Sequence, residues 1–391
     1  MRPATLVVGA RPNFMKAAPV VDALRAPESG WRVRLVHTGQ HYDDRLSDVF
    51  FRQLGMPAPD SNLAVGSGTA TEQTGRAMIA LEADFVANPP EAVIVFGDVN
   101  STVAAAMAAS RLQIPVVHVE AGLRSFDRTM PEEVNRVLTD ALASLLFVTE
   151  QGAIANLARE GIDVARAHFV GNTMIDTLER HREAAAALDM PSTIGAAAPY
   201  VLVTLHRPSN VDDPRALTRI VEVLMALAVR LDVVFPAHPR TVNRLEETGL
   251  AVRLRASRVV VVEALGYLEF MNLMMHAAVV LTDSGGVQDE TTALGVPCVT
   301  LRPNTERPIT IEQGTNILAG DDVHKAIAIV TEILDGGRVF RARRPDLWDG
   351  HAAQRIARVL RDWPTGPVPC PPSPKTPDRS ACRGIADTPG A

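Results

Sequence analysis

Short β-branched runs alternate with alanine- and leucine-rich stretches of helical period along most of this 391-residue chain. The strand-length runs fall at 4–8, 33–37, 92–96, 116–119 and 145–148. They return at 200–205, 233–235, 259–262, 279–281 and 298–300. Parallel strands need a crossover connection, and a helix is the compact way to make one, so this alternation predicts parallel sheets in an α/β fold. Between the two sets lies 178–199, alanine-rich with Pro191 and Gly195, which reads as a helix and a linker. The expected architecture is two doubly wound, Rossmann-like domains of about five strands each, facing a central cleft. The domains are placed at 1–175 and 176–350, followed by a helix within 351–363 and a Pro-, Gly- and Ser-rich tail, 364–391, that reads as disordered.

Bulk properties exclude several classes. The formal net charge of −6 provides no basic field for nucleic acid or an anionic membrane. No apolar run approaches the roughly 18 residues of a membrane span, and the first run leads into Gly9 as a strand rather than a signal core. The three cysteines, Cys298, Cys370 and Cys382, form neither a disulfide framework nor a zinc-ligand pattern, and a cytoplasmic setting is the default expectation. Cys298, inside an apolar run, reads as a core thiol.

Chemistry concentrates after the strands, where open α/β sheets bind ligands. Gly9-Ala10-Arg11-Pro12 and Lys16 follow the first, giving a turn, a helix start and two cations suited to an anion. Asp98 follows the third strand. Glu120 closes the fourth, and Arg124, Asp127, Glu132, Glu133 and Arg136 come soon after. Carboxylates that share a pocket separate in pKa, so one serves as base and another as acid. In the second half, His206-Arg207, His238-Pro239 and Thr282-Asp283-Ser284-Gly285-Gly286 end strands, and Asn304-Thr305-Glu306-Arg307 adds a cation. Ser284 and its glycines offer backbone N–H groups as a phosphate cradle. Each feature alone also fits a bland role: a strand-end Asp as a helix cap, a His as a structural hydrogen bonder. Their joint occurrence in both halves points to a diphosphate and proton transfer. There is no Gly-x-Gly-x-x-Gly, no phosphate-binding Gly-Lys-Ser/Thr loop, no Gly-x-Ser-x-Gly elbow and no metal-ligand spacing.

These segments resemble a known family. In order, Gly9-Ala-Arg-Pro, Thr38-Gly-Gln-His41, Gly97-Asp-Val-Asn-Ser-Thr102, His118-Val-Glu-Ala-Gly-Leu-Arg124 and Met130-Pro-Glu-Glu-Val-Asn-Arg136 are similar to the non-hydrolysing bacterial UDP-N-acetylglucosamine 2-epimerases. So are Gly171-Asn-Thr173, Leu205-His-Arg207, Thr282-Asp-Ser-Gly-Gly-Val-Gln288 and Thr305-Glu-Arg-Pro308. The resemblance covers about 6–360 and implies a GT-B-type fold whose last helix packs back on the first domain. It implies epimerisation at C2 of UDP-N-acetylglucosamine by elimination and re-addition of UDP, a UDP-sugar partner, a homodimer, no cofactor and no metal. It further implies Asp98, Glu120 and Glu132 as acid/base groups and His206 beside the diphosphate. Arg11, Lys16, Ser284, Gly285, Gly286 and Arg307 are implied to bind the nucleotide, Glu290 the ribose, and Phe270 and Leu265 the base.

The chain also departs from the family pattern, at Val99-Asn100-Ser101-Thr102, at Pro208-Ser209 after His206-Arg207, and at Ile309. His41-Tyr42-Asp43 and a loop, 66–69, without an arginine leave no evident site for a second, activating substrate, so hyperbolic kinetics are expected. The forms Gly97-Asp-Val-Asn-Ser-Thr102 and Arg128-Thr-Met-Pro-Glu-Glu133 also resemble epimerases of 2,3-diacetamido uronic-acid nucleotides, which is one alternative. A glycosyltransferase of the same fold and a non-catalytic nucleotide-sugar sensor are others. The carboxylates of the first half favour proton abstraction over both.

Overall fold

The computed structural model describes residues 1–39, 51–338, 340 and 342–364. The segment His41–Asp43, Cys370, Cys382 and all of the proline-rich tail beyond residue 364 lie outside the described residues.

Two all-parallel sheets form. The first has strand order β3-β2-β1-β4-β5-β6-β7. Its strands are β1 (Arg2–Val8), β2 (Trp31–His37), β3 (Ser61–Asn62), β4 (Ala92–Phe96), β5 (Val116–Ala121), β6 (Leu145–Val148) and β7 (Ala167–Phe169). The second runs β10-β9-β8-β11-β12-β13. It comprises β8 (Tyr200–Thr204), β9 (Asp232–Ala237), β10 (Val259–Glu263), β11 (Ala277–Thr282), β12 (Cys298–Thr300) and β13 (Asn316–Leu318). The expectation of about five strands per half is corrected to seven and six. The three additions are two or three residues long, too short to carry a period, and β3, β7 and β13 all lie at sheet edges.

Both faces of each sheet are covered, as a parallel sheet requires. One core on the first sheet joins Leu6, Ile94, Phe96, Phe147 and the helix Arg11–Arg25. The other face carries Val95, Ala104, Ala105, Ala108 and Leu146. The second sheet is flanked by Leu224, Phe235 and Leu281 on one side and by Tyr200, Leu273 and Val280 on the other. Cys298 is fully buried, and burial pushes its thiol up to about 11.

After the second sheet the chain returns. The helix Ala352–Asp362 puts Ala353, Ile356 and Leu360 into the core of the first sheet. Trp31 Nε1 donates to the Leu360 carbonyl at 3.3 Å. The helix start is held by a side chain from elsewhere, since Asp176 accepts from the Ala352 and Ala353 N–H groups at 3.0 and 2.7 Å. An acid at a helix N-terminus satisfies orphan donors and opposes the positive dipole end. Among the described residues no helix is long and apolar enough to cross a membrane.

Strand order reverses between β1 and β4 in the first sheet and between β8 and β11 in the second. At such switch points the loops diverge above the carboxyl ends and leave a crevice. Gly9–Arg11 and Gly97–Asp98 line the first, and Leu205–Arg207 and Asp283–Gly286 line the second.

Candidate active site

Backbone geometry at the first switch point is unusual. Gly9 allows a close approach: a Cβ there would lie 2.2 Å from Ser101 Oγ. Gly97 takes φ +60° and Glu120 φ +71°. The left-handed region disfavours a non-glycine residue, so Glu120 occupies a strained position. The β5–β6 register shifts at this residue, which is a β-bulge re-aiming one side chain. The carboxylate thus turns inward at the strand end.

Glu120 is buried, and its Oε1 accepts from Lys16 Nζ at 2.7 Å and from Arg307 Nη2 at 2.9 Å. Its Oε2 has no hydrogen-bond partner among the described residues. Asp98 does not cap the helix Asn100–Arg111, whose N-cap is Val99. Instead it accepts from Arg136 Nε at 3.0 Å and Nη2 at 2.9 Å. Burial pushes Asp98 up, but Arg136 and Lys16 outweigh it and hold the carboxyl below its ordinary range. Glu132 is half-buried in the first turn of the helix Pro131–Leu142, and its charge acts on Arg207 across the cleft. Its neighbour Glu133 instead braces the local backbone. It accepts from the Ser125 and Phe126 N–H groups, both at 2.9 Å, and pairs with Arg136.

At the second switch point, buried Asp283 accepts from the His206 and Arg207 backbone N–H groups and from His206 Nδ1 at 3.0 Å. Burial raises Asp283, yet His206, Asn210 and the backbone donors bring it below its ordinary value. The His206 side chain is 58% exposed, so its free edge faces solvent while Asp283 fixes the ring. His238, the other strand-end histidine of this half, behaves differently, capping the helix Pro239–Glu247 by accepting from Arg240 N. Ser284 is the N-cap of the helix Gly285–Leu294 but makes no side-chain capping bond. That helix start keeps its dipole end and backbone N–H groups available.

Further residues bridge the two halves. Arg11 Nη2 donates to the Leu265 carbonyl at 3.4 Å. Phe270 is half-buried on the helix Tyr267–His276 and packs on the second sheet's core. Glu290 is buried, and desolvation, offset in part by Tyr267, pushes it up to about 7. A Cβ at Gly285 would lie 2.4 Å from Glu306 Oε1 and 2.5 Å from Arg307 Nη1, so it would displace that ion pair, and one at Gly286 would lie 2.9 Å from Met174 Cε. Arg307 is buried and spans three carboxylates, Glu120, Asp289 and Glu306. Glu306 also accepts from Arg302 Nη2 at 2.7 Å and lies 4.0 Å from Arg136 Nη2. An alternating chain of charge, Lys16–Glu120–Arg307–Glu306–Arg136–Asp98, therefore crosses the cleft.

Sequence reasoning does not pick out Arg136, Glu306, Asp283 and Asp289 as site residues. The strand-end position of Asp283 is the signal for it; Arg136 and Glu306 each have one or more partners nearby in sequence, but the contacts that join them to Asp98 and to each other cross the fold, as does the contact of Asp289 with Arg307. The loop 66–69 lacks an arginine of its own, but Arg76 from the following helix donates to the Ser67 carbonyl at 2.7 Å. Among the described residues no group of three or more His, Cys, Asp or Glu side chains is arranged to hold a metal ion.

Two switch points facing one another across a cleft, one rich in carboxylates and the other opening a helix start, make this a GT-B-type enzyme for nucleotide-linked sugars. A model of the UDP-N-acetylglucosamine 2-epimerase family matches residues 24–361, and the chain belongs to that family. It is 42% identical over 363 residues to the UDP-N-acetylglucosamine 2-epimerase of Methanocaldococcus jannaschii, covering 91% of this chain and 98% of that one. Identity is also 42%, over 362 residues, to the UDP-2,3-diacetamido-2,3-dideoxy-D-glucuronate 2-epimerase of Pseudomonas aeruginosa, covering 90% and 98%. A crystal structure of the Methanocaldococcus jannaschii UDP-GlcNAc 2-epimerase in complex with UDP-GlcNAc and UDP superposes with a TM-score of 0.85 at 41% identity, covering 92% of this chain and 99% of that one.

Proposed function

We propose that the chain interconverts UDP-N-acetylglucosamine and UDP-N-acetylmannosamine, by eliminating UDP to 2-acetamidoglucal and adding it back. One observation carries this reading: Asp98 and the inward-turned Glu120 both lie beside Lys16, opposite the His206–Asp283 pair and the uncapped helix start at Ser284. In the elimination a carboxylate takes the C2 proton, the C2–H electrons form the C1=C2 bond, and the C1–O electrons leave with UDP. The C2 proton is weakly acidic, so the base must be close and desolvated, as the free oxygen of buried Glu120 is. The departing diphosphate gains charge, which cations and helix N–H groups stabilise. Return of UDP to C1, with a proton delivered to the other face of C2, inverts that carbon.

In this reading Asp98, Glu120 and Glu132 move protons and His206 stands beside the diphosphate. Arg11, Lys16, Ser284, Gly285, Gly286 and Arg307 hold the nucleotide. Glu290 takes the ribose hydroxyls, and Phe270 and the Leu265 backbone take the uracil. The same proposal takes 1–175 and 176–350 as the two domains, a cytoplasmic setting and a homodimer, which light scattering measures. It invokes no cofactor and expects velocity to rise hyperbolically with substrate.

The test is incubation with UDP-N-acetylglucosamine in deuterated water. Deuterium at C2 in a manno-configured nucleotide supports the reading. Absence of exchange with sugar transfer to an acceptor overturns it. The equal identity to the diacetamido-glucuronate enzyme favours a decorated sugar as the second reading. A higher kcat/KM for that nucleotide than for UDP-N-acetylglucosamine would establish it.

A further inference from the structure

We propose that Asp140 is a positioning residue for both strand-end carboxylates, acting on Asp98 through His118 and on Glu120 through Gly122. The inference rests on the 2-epimerase reading. Asp140 lies in the helix Pro131–Leu142 and is fully buried behind the strand ends, away from the cleft-facing oxygens. Arg136, one turn earlier on the same helix, holds Asp98 directly.

One oxygen of Asp140 controls the β4 turn. Asp140 Oδ1 lies within hydrogen-bond distance of His118 Nδ1, at 2.7 Å, and His118 Nε2 lies 2.8 Å from the Gly97 carbonyl. A carbonyl only accepts, so Nε2 carries a proton and donates. The ring is thereby clamped at both nitrogens between a helix and a turn. Gly97 immediately precedes Asp98, and a Cβ there would lie 2.7 Å from Lys16 Nζ. This turn therefore sets how Asp98, Lys16 and Glu120 stand to one another.

The other oxygen controls the β5 bulge. Asp140 Oδ2 accepts from the Gly122 N–H at 3.0 Å and from Arg124 Nη1 at 2.7 Å. Arg124 is itself anchored by Glu160, at 2.8 and 2.6 Å. Glu120, two residues before Gly122, sits at φ +71°, and such a conformation persists only where its surroundings over-determine it. Asp140 supplies that constraint on the carboxyl side of the bulge, while Gly97 N donating to the Val119 carbonyl at 2.9 Å supplies it on the amino side. A single buried carboxylate thus fixes the separation of two groups that flank the reacting carbon.

The test compares Asp140→Asn, His118→Gln and His118→Leu with the wild type, measuring kcat, KM and C2 deuterium exchange on UDP-N-acetylglucosamine. Displacing a reacting group by about 1 Å costs about 100-fold. Asp140→Asn is therefore expected to lower kcat by about 10- to 100-fold. KM should stay within about threefold, because of the groups proposed to hold the nucleotide only Lys16 stands against this turn. The amide of His118→Gln still reaches Gly97, so it should retain more turnover than His118→Leu. Native kcat in Asp140→Asn overturns the proposal, and so does an equal loss in the two His118 variants. Should Asp140→Asn fail to fold, the His118 pair decides alone. A wild-type chain that neither epimerises nor exchanges the proton overturns the functional reading and this proposal together. An active wild type beside variants of native turnover overturns only the positioning role.

Discussion

The two switch points are built on opposite plans. In the first, Asp98, Glu120, Lys16 and Arg136 are engaged in ion pairs of 3.0 Å or less. In the second, the His206 side chain is 58% exposed and Ser284 leaves its helix start without a side-chain cap. A proton-transfer centre gains from donors and charges fixed before the reaction, because nothing then reorganises at the barrier. A nucleotide site must instead admit and release a ligand, so its backbone donors stay accessible. The difference fits the proposal that puts the chemistry in the first half and the handling of the leaving group in the second.

The largest expected effect tests the first half. Glu120→Gln keeps shape and loses charge, and Asp98→Asn does the same; each should lower kcat by about 10²–10⁴-fold, the usual worth of a positioned acid or base. Steady-state kinetics checks this, and near-native turnover in either variant removes that residue from proton transfer. Next is the tie between the halves. Arg307→Met strips one cation from Glu120, Asp289 and Glu306 together. Leaving buried charge uncompensated typically costs about 3–5 kcal/mol, so denaturant unfolding should show a loss of that order, with turnover falling as well. An unchanged midpoint would mean that the first half holds its geometry without the second.

These two predictions also divide what the sequence makes legible from what it does not. Asp98 and Glu120 are visible because a strand of apolar residues that stops at a carboxylate is a local pattern. The ten strands read from the sequence are visible because their apolar runs are local patterns too, with ends within a few residues of those observed. The pairing Arg136–Glu306 joins residues 170 positions apart, and no local spacing encodes it. Glu133, adjacent to Glu132 in one motif, turns out to brace the Ser125–Phe126 backbone, a difference of one helical step that only the packed helix decides. Arg307 reads as a free cation for an anion; Glu306 is its neighbour in the chain, but Glu120 on β5 and Asp289 on the helix Gly285–Leu294 reach it only through the fold.

A smaller effect concerns pH. Burial, with Asp289 adding to it, pushes Glu150 up to about 8, and burial pushes Asp289 to about 6 and Glu290 to about 7. For a carboxyl raised above its unfolded value, the stabilising neutral form is fully present below about 4.5 and is lost as pH rises through the folded value. Stability should therefore fall between about pH 5 and pH 9, with Glu150 contributing on the order of 5 kcal/mol. Asp98, Asp283 and Glu306 are shifted down and act in the opposite sense, losing their contribution as pH falls below about 4. Thermal unfolding across this range checks the sign, and Glu150→Gln should flatten the decline near pH 8. A wild type whose midpoint rises from pH 6 to pH 9 would contradict the assignment of those three groups.

The smallest expected effect separates a helix start kept open from one that is closed. Asn172 caps the helix Thr173–Ala186 by accepting from Met174 N at 3.0 Å, and it is buried. Asn172→Ala should cost about 1 kcal/mol of stability, the usual value of a cap. Ser284 holds the same position on its own helix but makes no such bond, so Ser284→Ala should change stability by less than about 0.5 kcal/mol. Its loss should appear instead as a higher KM for the nucleotide sugar, since removing a contact made equally in ground and transition states raises KM and spares kcat. If Ser284→Ala destabilises the chain as much as Asn172→Ala does and leaves KM unchanged, the serine is a cap, and the openness of the second switch point lies in its glycines alone.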